Sequence, residues 1–276
     1  MRIAFDKMEG AGNDFVIVDH RQRIIPDGRK AEFAVAACHR KYGIGADGLV
    51  LVEHANDGDA DARFAWDFYN ADGTPAGMCG NAARCVALFA RRHGVVDADS
   101  FNFRSLAGLI GVRLFDGGQV RVAMTDASAP RLFPRLEAAG TVLDAWWMDT
   151  GVPHAVVAAA EVDRVDVAKL GKALRHHPVF GEAGANVNFV ERLGDHLRIR
   201  TYERGVEGET LACGTGAAAS AIAIGRAMGL RPPVRVMTRG GFALTIGWND
   251  APDGAVRDVV LTGPARKVFS GQMEYD

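Results

Sequence analysis

The sequence predicts an α+β protein built from two barrel-like halves, each a curled β-sheet around one central helix. With 276 residues, the chain is long enough for two compact domains that each bury a core. The segment Met-Cys-Gly-Asn-Ala-Ala-Arg at 78–84 has a similar copy, Ala-Cys-Gly-Thr-Gly-Ala-Ala, at 212–218, which keeps the Cys-Gly pair and the small residues after it. In each half, many strand patterns accompany one long helical pattern, which is typical of a sheet that wraps around its helix.

The repeated segments open the two central helices. Each begins an alanine-rich helical pattern, at 79–93 and 213–228, and a glycine follows each pattern directly as the usual helix-ending residue. Cys79 and Cys213 therefore lie at predicted helix N-termini. Unpaired backbone N–H groups and the positive end of the helix dipole lower the pKa of a thiol there and attract an anion such as a carboxylate. Two such cysteines facing each other would form a symmetrical acid–base pair.

The other elements of the first half follow from apolar runs bounded by turn residues. They are strands at 2–5, 15–18, 49–52, 64–68 and 101–103, a helix at 31–41 and a hairpin at 109–124. Asn13 lies in the glycine-containing loop between the first two strands. Asn70 begins the Asn-Ala-Asp-Gly turn that precedes the first cysteine segment.

The second half repeats the closing hairpin pattern. Its elements are strands at 146–148, 186–190 and 197–202, a helix at 164–175 and a hairpin of 243–246 with 256–261. Between the halves, 126–145 contains two prolines and little periodicity, so we place the domain boundary there and expect halves of 1–126 and 127–265. Glu203 and Arg204 end the strand before the second cysteine segment. A charged pair at this place is consistent with a functional site near Cys213 and equally with an ion pair on the protein surface.

Composition and charge exclude several classes of function. The formal net charge of −2 gives no electrostatic reason to expect a nucleic-acid partner. No apolar run approaches the roughly 18 residues of a membrane span, and charges occupy the N-terminus where a signal peptide needs an apolar core. We therefore expect a cytoplasmic protein with neither a nucleic-acid nor a membrane partner.

The four cysteines indicate reduced thiols rather than a disulfide scaffold, because a core of this size needs no covalent support. They form no Cys-x-x-Cys pair and no His/Cys cluster at zinc spacing, so no metal site is expected. Cys38 and Cys85 are most simply small buried residues. Cys79 and Cys213 differ because each precedes glycine, which allows close backbone approach, and then Asn or Thr, which adds a polar donor.

Common cofactor motifs fail on inspection. The segment 214–219 matches a Gly-x-Gly-x-x-Ala dinucleotide fingerprint, but 210–249 contains no Asp or Glu to hold a ribose. The chain has no phosphate-binding Gly-x-x-x-x-Gly-Lys-(Ser/Thr) loop, and none of its six lysines stands in a setting typical of a Schiff base. We therefore expect no cofactor.

The remaining polar candidates each have an ordinary structural explanation. His154, after Gly-Val-Pro, suits a hydrogen-bonded structural histidine as well as a catalytic one. Asn13, Asn70 and Asn186 lie at loop or strand ends, where asparagine is common for turn geometry alone.

Taken in order, the motifs of the whole chain resemble diaminopimelate epimerase, the cofactor-independent amino-acid epimerase family of lysine and cell-wall synthesis. The matching motifs are Gly-Asn-Asp-Phe at 12–15, Gly-Ile-Gly-Ala-Asp-Gly at 43–48, Asn-Ala-Asp-Gly at 70–73, Met-Cys-Gly-Asn at 78–81, Gly151 with Pro-His at 153–154, Asn-Val at 186–187, Tyr-Glu-Arg-Gly at 202–205 and Ala-Cys-Gly-Thr-Gly at 212–216.

The resemblance implies two domains related by a pseudo-two-fold, with the active site in the cleft between them and the segment 266–276 returning to the first. It implies a homodimer without cofactor that converts LL- to meso-diaminopimelate. In that family one cysteine, as thiolate, removes the α-proton and the other, as thiol, protonates the opposite face. Carried over, Cys213 accepts and Cys79 donates in one direction, and the roles exchange in reverse.

The resemblance also assigns the remaining roles. His154 and Glu203 would adjust the two thiols, and Glu203 would also face the reacting ammonium. The substrate-binding residues would be Asn13, Asn70, Gly80, Asn81, Asn186, Glu203, Arg204, Gly214 and Thr215. Among them, the helix starts at 80–81 and 214–215 would hold the α-carboxylate, and Arg204 would bind the distal carboxylate as a fork.

Two positions depart from the family pattern. Val152 stands where an asparagine often helps to bind the distal end of the substrate, and Gly48 stands where some members have glutamine. Val152 leaves a second interpretation open, a racemase of another amino acid on the same scaffold. A different class, a non-catalytic ligand-binding or thiol redox protein, would not require both Cys79 and Cys213 for proton transfer.

Overall fold

The structure of the protein, a computed structural model, describes residues 1–56 and 58–275. The chain forms two compact units, Met1–Val122 with Gly263–Asp276 and Ala123–Thr262. The boundaries expected from the sequence, at 126 and 265, lie a few residues further along the chain.

Within residues 1–56 and 58–122, the first unit forms seven strands and two helices. They are β1 (Arg2–Gly10), β2 (Asn13–Asp19), α1 (Lys30–Cys38), β3 (Gly48–Glu53), β4 (Ala65–Asn70), α2 (Gly80–Arg92), β5 (Ser100–Ser105), β6 (Gly108–Phe115) and β7 (Gln119–Ala123). Short 3₁₀ turns at Asp27–Arg29 and Asp116–Gly118 connect some of them.

The second unit carries nine strands and two helices. They are β8 (Arg131–Ala138), β9 (Thr141–Asp149), β10 (Pro153–Ala158), α3 (Val167–Arg175), β11 (Asn186–Leu193), β12 (His196–Glu203), β13 (Gly208–Thr210), α4 (Gly214–Ala227), β14 (Val234–Met237), β15 (Ala243–Asp250) and β16 (Val256–Pro264). Its 3₁₀ turns are Val162–Arg164 and Pro178–Phe180.

The last strand, β17 (Arg266–Glu274), completes the sheet of the first unit. It pairs with β1 in antiparallel fashion, so that the strand order is β17-β1-β2-β3-β4-β5-β6-β7. The pairs β2/β3 and β4/β5 are parallel and the others are antiparallel. The two parallel pairs follow the two helices, since a parallel connection needs a crossover segment.

The second unit repeats this topology within a single stretch of chain. Its order is β8-β9-β10-β11-β12-β14-β15-β16, with β10/β11 and β12/β14 as the parallel pairs at the corresponding places. The small strand β13 adds only to the end of β12. The duplicated cysteine segments are therefore part of a duplicated α+β unit, which confirms the predicted fold class.

The sheet of the first unit is buried on both faces because a helix packs on each. Phe15 and Ile17 join the core around α2, whereas Val16 and Val18 join the core around α1. Successive side chains of a strand point to opposite faces, and both faces of β2 are buried. The sequence of β2 is therefore apolar without alternation. α2 contacts β1, β2, β3, β6 and β17, which places it inside the curl of the sheet.

In the second unit, α4 occupies the equivalent central place. It contacts β9, β10, β11, β12, β14 and β15. Every residue from Gly216 to Gly225 is buried, and such a helix, apolar on all sides, belongs in a core. α3 contacts β8, β11, β12 and β13, and Leu174 joins a separate core cluster with Phe189 and Tyr202.

The segment 126–145, which shows little periodicity and in which the sequence analysis placed the domain boundary, contains regular structure. The hairpin of β8 and β9 fills most of it, and its turn places Ala139 and Gly140 at φ 52° and 79°, a backbone that suits a tight hairpin turn. Most of β8 is exposed, so no buried face imposes an apolar alternation. Pro134 lies where the register shifts between Phe133 and Leu136, a bulge position that tolerates proline.

None of the helices in the described part of the chain is both long and apolar enough to cross a membrane.

Candidate functional site

Both central helices begin in the same way, with a cysteine as the N-cap residue. Cys79 precedes α2 at φ −141° and ψ 122°, and Cys213 precedes α4 at φ −125° and ψ 113°. Their carbonyl groups accept hydrogen bonds of 2.9 Å from Ala83 and Ala217. The backbone N–H groups of each first turn lie beside the cysteine, so each unit presents a thiol next to a place for an anion.

Asn13 fixes the polar surroundings of Cys79. Its Oδ1 accepts from the thiol Sγ at 3.6 Å and from Asn81 Nδ2 at 3.3 Å. Its Nδ2 donates to Asp47 Oδ2 at 2.6 Å. The amide of Asn13 is therefore oriented with its oxygen towards the sulfur.

Arg84, which the sequence analysis did not single out, anchors the first turn of α2 from inside the core. It is fully buried, and it donates to Asn81 Oδ1 at 2.7 Å, Gly80 O at 3.1 Å and Pro264 O at 3.1 Å. No carboxylate pairs with it in residues 1–56 and 58–275, and burial lowers its pKa. In the second copy of the segment, Ala218 occupies the position that corresponds to Arg84. The sequence signal for Arg84 was therefore a charged residue in only one of two alanine-rich repeats.

Asn70 lies apart from this hydrogen-bonded group, in the turn after β4. Its side chain donates to Thr74 Oγ1 at 3.0 Å, and its backbone N–H donates to Thr74 O at 2.9 Å. It pairs with Gly48 on β3. A Cβ atom at Gly48 would lie 2.8 Å from both Phe68 Cε2 and Tyr69 O, so the present backbone has no room for the larger side chain of some family members.

A hydroxyl group accompanies Cys213 in the second unit. Its Sγ lies 3.5 Å from Thr215 Oγ1, and either atom can donate. The carbonyl of Thr215 accepts from Thr150 Oγ1 at 3.2 Å, which ties the start of α4 to the loop before β10. Thr150 is 2% exposed, and the sequence analysis missed it.

His154 on β10 lies in a fully buried polar cluster. Its Nδ1 is 3.0 Å from Nδ2 of Asn188 on β11, which also donates to Ala155 O at 3.3 Å. Thr201 on β12 donates to Asn188 Oδ1 at 2.9 Å. Burial, together with the charge of Arg204, lowers the pKa of His154 to about 3, so the imidazole is neutral at physiological pH.

Asn186 joins the strand ends that carry His154, Glu203 and Arg204. It is 4% exposed, its Nδ2 donates to Pro153 O at 3.2 Å, and its Oδ1 accepts from the backbone N–H of Arg204 at 2.8 Å. Burial raises the pKa of the Glu203 carboxyl. The candidates carried by the strands of this unit thus meet at one end of β10, β11 and β12, which lie side by side.

Within each unit, hydrogen bonds link subsets of the candidates, and Asn70 lies apart from them. Hydrogen bonds link Cys79, Asn13, Gly80 and Asn81 in the first unit, and Asn186 links the β10 and β12 candidates in the second. Gly214 and Thr215 form the first turn of α4 after Cys213. The chain is thus a duplicated α+β protein in which the central helix of each unit starts at a cysteine.

Solved structures share this fold. A phenazine biosynthesis protein of the PhzF family from Bacillus anthracis superposes with a TM-score of 0.73 at 13% identity, covering 100% of both chains. A probable proline racemase from Agrobacterium radiobacter, with bound carbonate, gives 0.68 at 16% identity and covers 99% of this chain and 93% of its own.

The sequence comparisons give the family. The family model of diaminopimelate epimerase matches residues 5–130 and 146–268. A diaminopimelate epimerase from Aquifex aeolicus is 41% identical over 279 residues, covering 98% of this chain and 97% of the relative. The chain belongs to the diaminopimelate epimerase family, a family of isomerases.

Proposed function

We propose that this protein interconverts LL- and meso-diaminopimelate by moving a proton between two thiols and the α-carbon, without a cofactor. The observation that carries the proposal is the cysteine at the N-cap of the central helix in both repeated units. A duplicated thiol suits a reaction in which one group removes a proton and a second returns it to the opposite face. Membership of the epimerase family supports the substrate.

The backbone at both helix starts suits the demands of this reaction. The α-proton of an amino acid is weakly acidic, so an enzyme without an electron-sink cofactor must stabilise the carbanion-like transition state electrostatically. The N–H groups at the starts of α2 and α4 would hold the α-carboxylate while its negative charge grows. The helix already fixes the direction of these N–H groups, so they need not reorient when the transition state forms.

The two thiols need different protonation states before the reaction, and their neighbours support one assignment. Asn13 Oδ1 accepts from Cys79, which favours the thiol, and Thr215 can donate to Cys213, which favours the thiolate. Cys213 would then remove the proton and Cys79 would supply one. The roles exchange in the reverse direction. As coupled groups, the two thiols would show apparent pKa values that belong to the pair.

The remaining candidates would bind the rest of the substrate and adjust the thiols. The half-buried Glu203 suits the reacting ammonium, and Arg204, whose backbone N–H donates to Asn186, suits the distal carboxylate as a planar fork. His154 would adjust a thiol through its ring. Val152 supplies no polar side chain, so recognition of the distal end would depend on Asn70 and the residues around Arg204.

Proton NMR of meso-diaminopimelate in D₂O tests the proposal. With reduced enzyme the α-proton signal should disappear through exchange with solvent, and it should persist without enzyme. If it persists with reduced enzyme, diaminopimelate is not the substrate. Loss of the α-proton of another amino acid in a panel would then establish a racemase on this scaffold, and a silent panel would favour a binding role.

We also propose that the protein is a cytoplasmic homodimer, as expected for a biosynthetic enzyme of this family. The exposed apolar residues Val268 and Phe269 on β17, which are 53% and 47% exposed, support a second copy on this strand. Light scattering should give twice the chain mass, and Phe269→Glu should halve it. A monomeric wild-type protein at micromolar concentration would contradict the homodimer.

A further inference from the structure

The hydrogen bonds of the buried cluster determine which ring nitrogen of His154 carries the proton. The carbonyl of Ala155 can only accept, so the Asn188 atom 3.3 Å from it must be the amide nitrogen Nδ2. That nitrogen also faces His154 Nδ1 at 3.0 Å, and an amide N–H can only donate. Nδ1 is therefore an acceptor, and the proton of the neutral ring lies on Nε2.

Two further contacts hold Asn188 in this orientation. Thr201 Oγ1 donates to Asn188 Oδ1 at 2.9 Å, which places the oxygen on the side away from Ala155. Gly216 of α4 leaves room for the same oxygen, because a Cβ atom there would lie 2.3 Å from it. Asn188 and His154 are fully buried and Thr201 is 2% exposed, so water does not compete for these bonds.

The other ring nitrogen has no partner within the described residues. His154 Nε2 is buried and makes no hydrogen bond there. A buried donor left without an acceptor destabilises the folded protein. The cluster fixes the orientation of this N–H group and gives it no acceptor. The group is therefore suited to donate to an atom that arrives during the reaction.

We infer that Asn188, supported by Thr201, is a positioning residue that keeps His154 as the neutral Nε2–H tautomer, a hydrogen-bond donor to an anion. The acceptor is an anionic sulfur or oxygen, a thiolate or a substrate carboxylate. In this tautomer Nε2 has no free lone pair, so His154 does not deprotonate a thiol through that atom. The inference rests on the proposed function only for its effect on turnover.

NMR of the whole protein with ¹³C,¹⁵N-labelled histidine tests the tautomer. The His154 signals, assigned by their loss in His154→Gln, should show a proton on Nε2 and should not titrate between about pH 5 and pH 9, where an ordinary histidine does. A proton on Nδ1, or titration near the ordinary value, would overturn the inference whichever substrate the protein takes. If the tautomer is found but diaminopimelate does not react, only the proposed substrate fails.

Asn188→Asp tests the positioning role. A carboxylate beside Nδ1 accepts rather than donates, so it should draw the proton onto Nδ1, which the same spectra would show. The lost hydrogen bond from Nε2 to an anion should lower kcat about 10- to 100-fold with little change in KM. Thr201→Val, which removes one support without adding charge, should shift both readouts less in the same direction. Asn56→Asp makes the same chemical change at an exposed position and should alter neither. An unchanged tautomer in folded Asn188→Asp would contradict the role.

Discussion

Cys79→Ser and Cys213→Ser should each slow epimerisation of diaminopimelate by roughly 10²- to 10⁴-fold, the usual contribution of one general acid or base. Serine keeps the shape of cysteine and can still hydrogen bond, but its hydroxyl is far less acidic than a thiol. Neither variant should lose stability, since each replaced side chain is small and stands at a helix start. The measurement is the initial rate in both directions by circular dichroism or coupled assay.

Cys85→Ala is the matched control because it removes a thiol from the same helix as Cys79. Cys85 is fully buried, and burial raises its pKa well above the usual range, so it stays protonated and takes no part in proton transfer. Its turnover should be close to wild type. Near-normal turnover in either serine variant, or equal losses in all three variants, would contradict the two-thiol mechanism.

The local elements around the cysteines could be predicted because their signals lie within a few residues. Cys79 and Cys213 stand directly before alanine-rich helical patterns, and Gly94 and Gly229 after them adopt φ values of 65° and 72°. Helix start, helix end and apolar periodicity are short-range properties. The repeat then indicated that the two halves share one architecture.

Other parts of the fold could not be predicted, because partners far along the chain determine them. β17 is almost wholly exposed and carries no apolar alternation, and only its pairing with β1 makes it a strand. β8 is exposed in the same way, so a segment with prolines looked like a linker. Strand assignment from periodicity works only where one face of the strand is buried.

The same limit applies to the candidate site. Asn188 follows Asn186 by two residues, but the sequence analysis singled out only Asn186. The importance of Asn188 comes from His154, which lies on a neighbouring strand, and from Gly216 on a helix. Sequence spacing identified side chains that carry chemistry, but not the buried groups that orient them.

Gly216→Ala should impair both stability and turnover, although alanine normally favours a helix over glycine. Its Cβ would lie 2.3 Å from Asn188 Oδ1 and 3.2 Å from Cys213 Sγ. Asn188 would have to move, which weakens its bonds to Thr201 and His154. We expect a loss of about 1–3 kcal/mol in the free energy of unfolding and a fall in kcat of about 10-fold or more.

Gly225→Ala, in the same helix, separates this overlap from the general effect of the substitution. The nearest atom to its Cβ would be Trp248 Cη2 at 3.7 Å, an ordinary contact. Alanine there should leave kcat unchanged and raise the free energy of unfolding by about 0.5–1 kcal/mol. Urea unfolding and steady-state kinetics of both variants give the comparison. If the two glycines respond alike, packing of α4 against Asn188 does not constrain the site, and the geometry of Cys213 is maintained by the helix start alone.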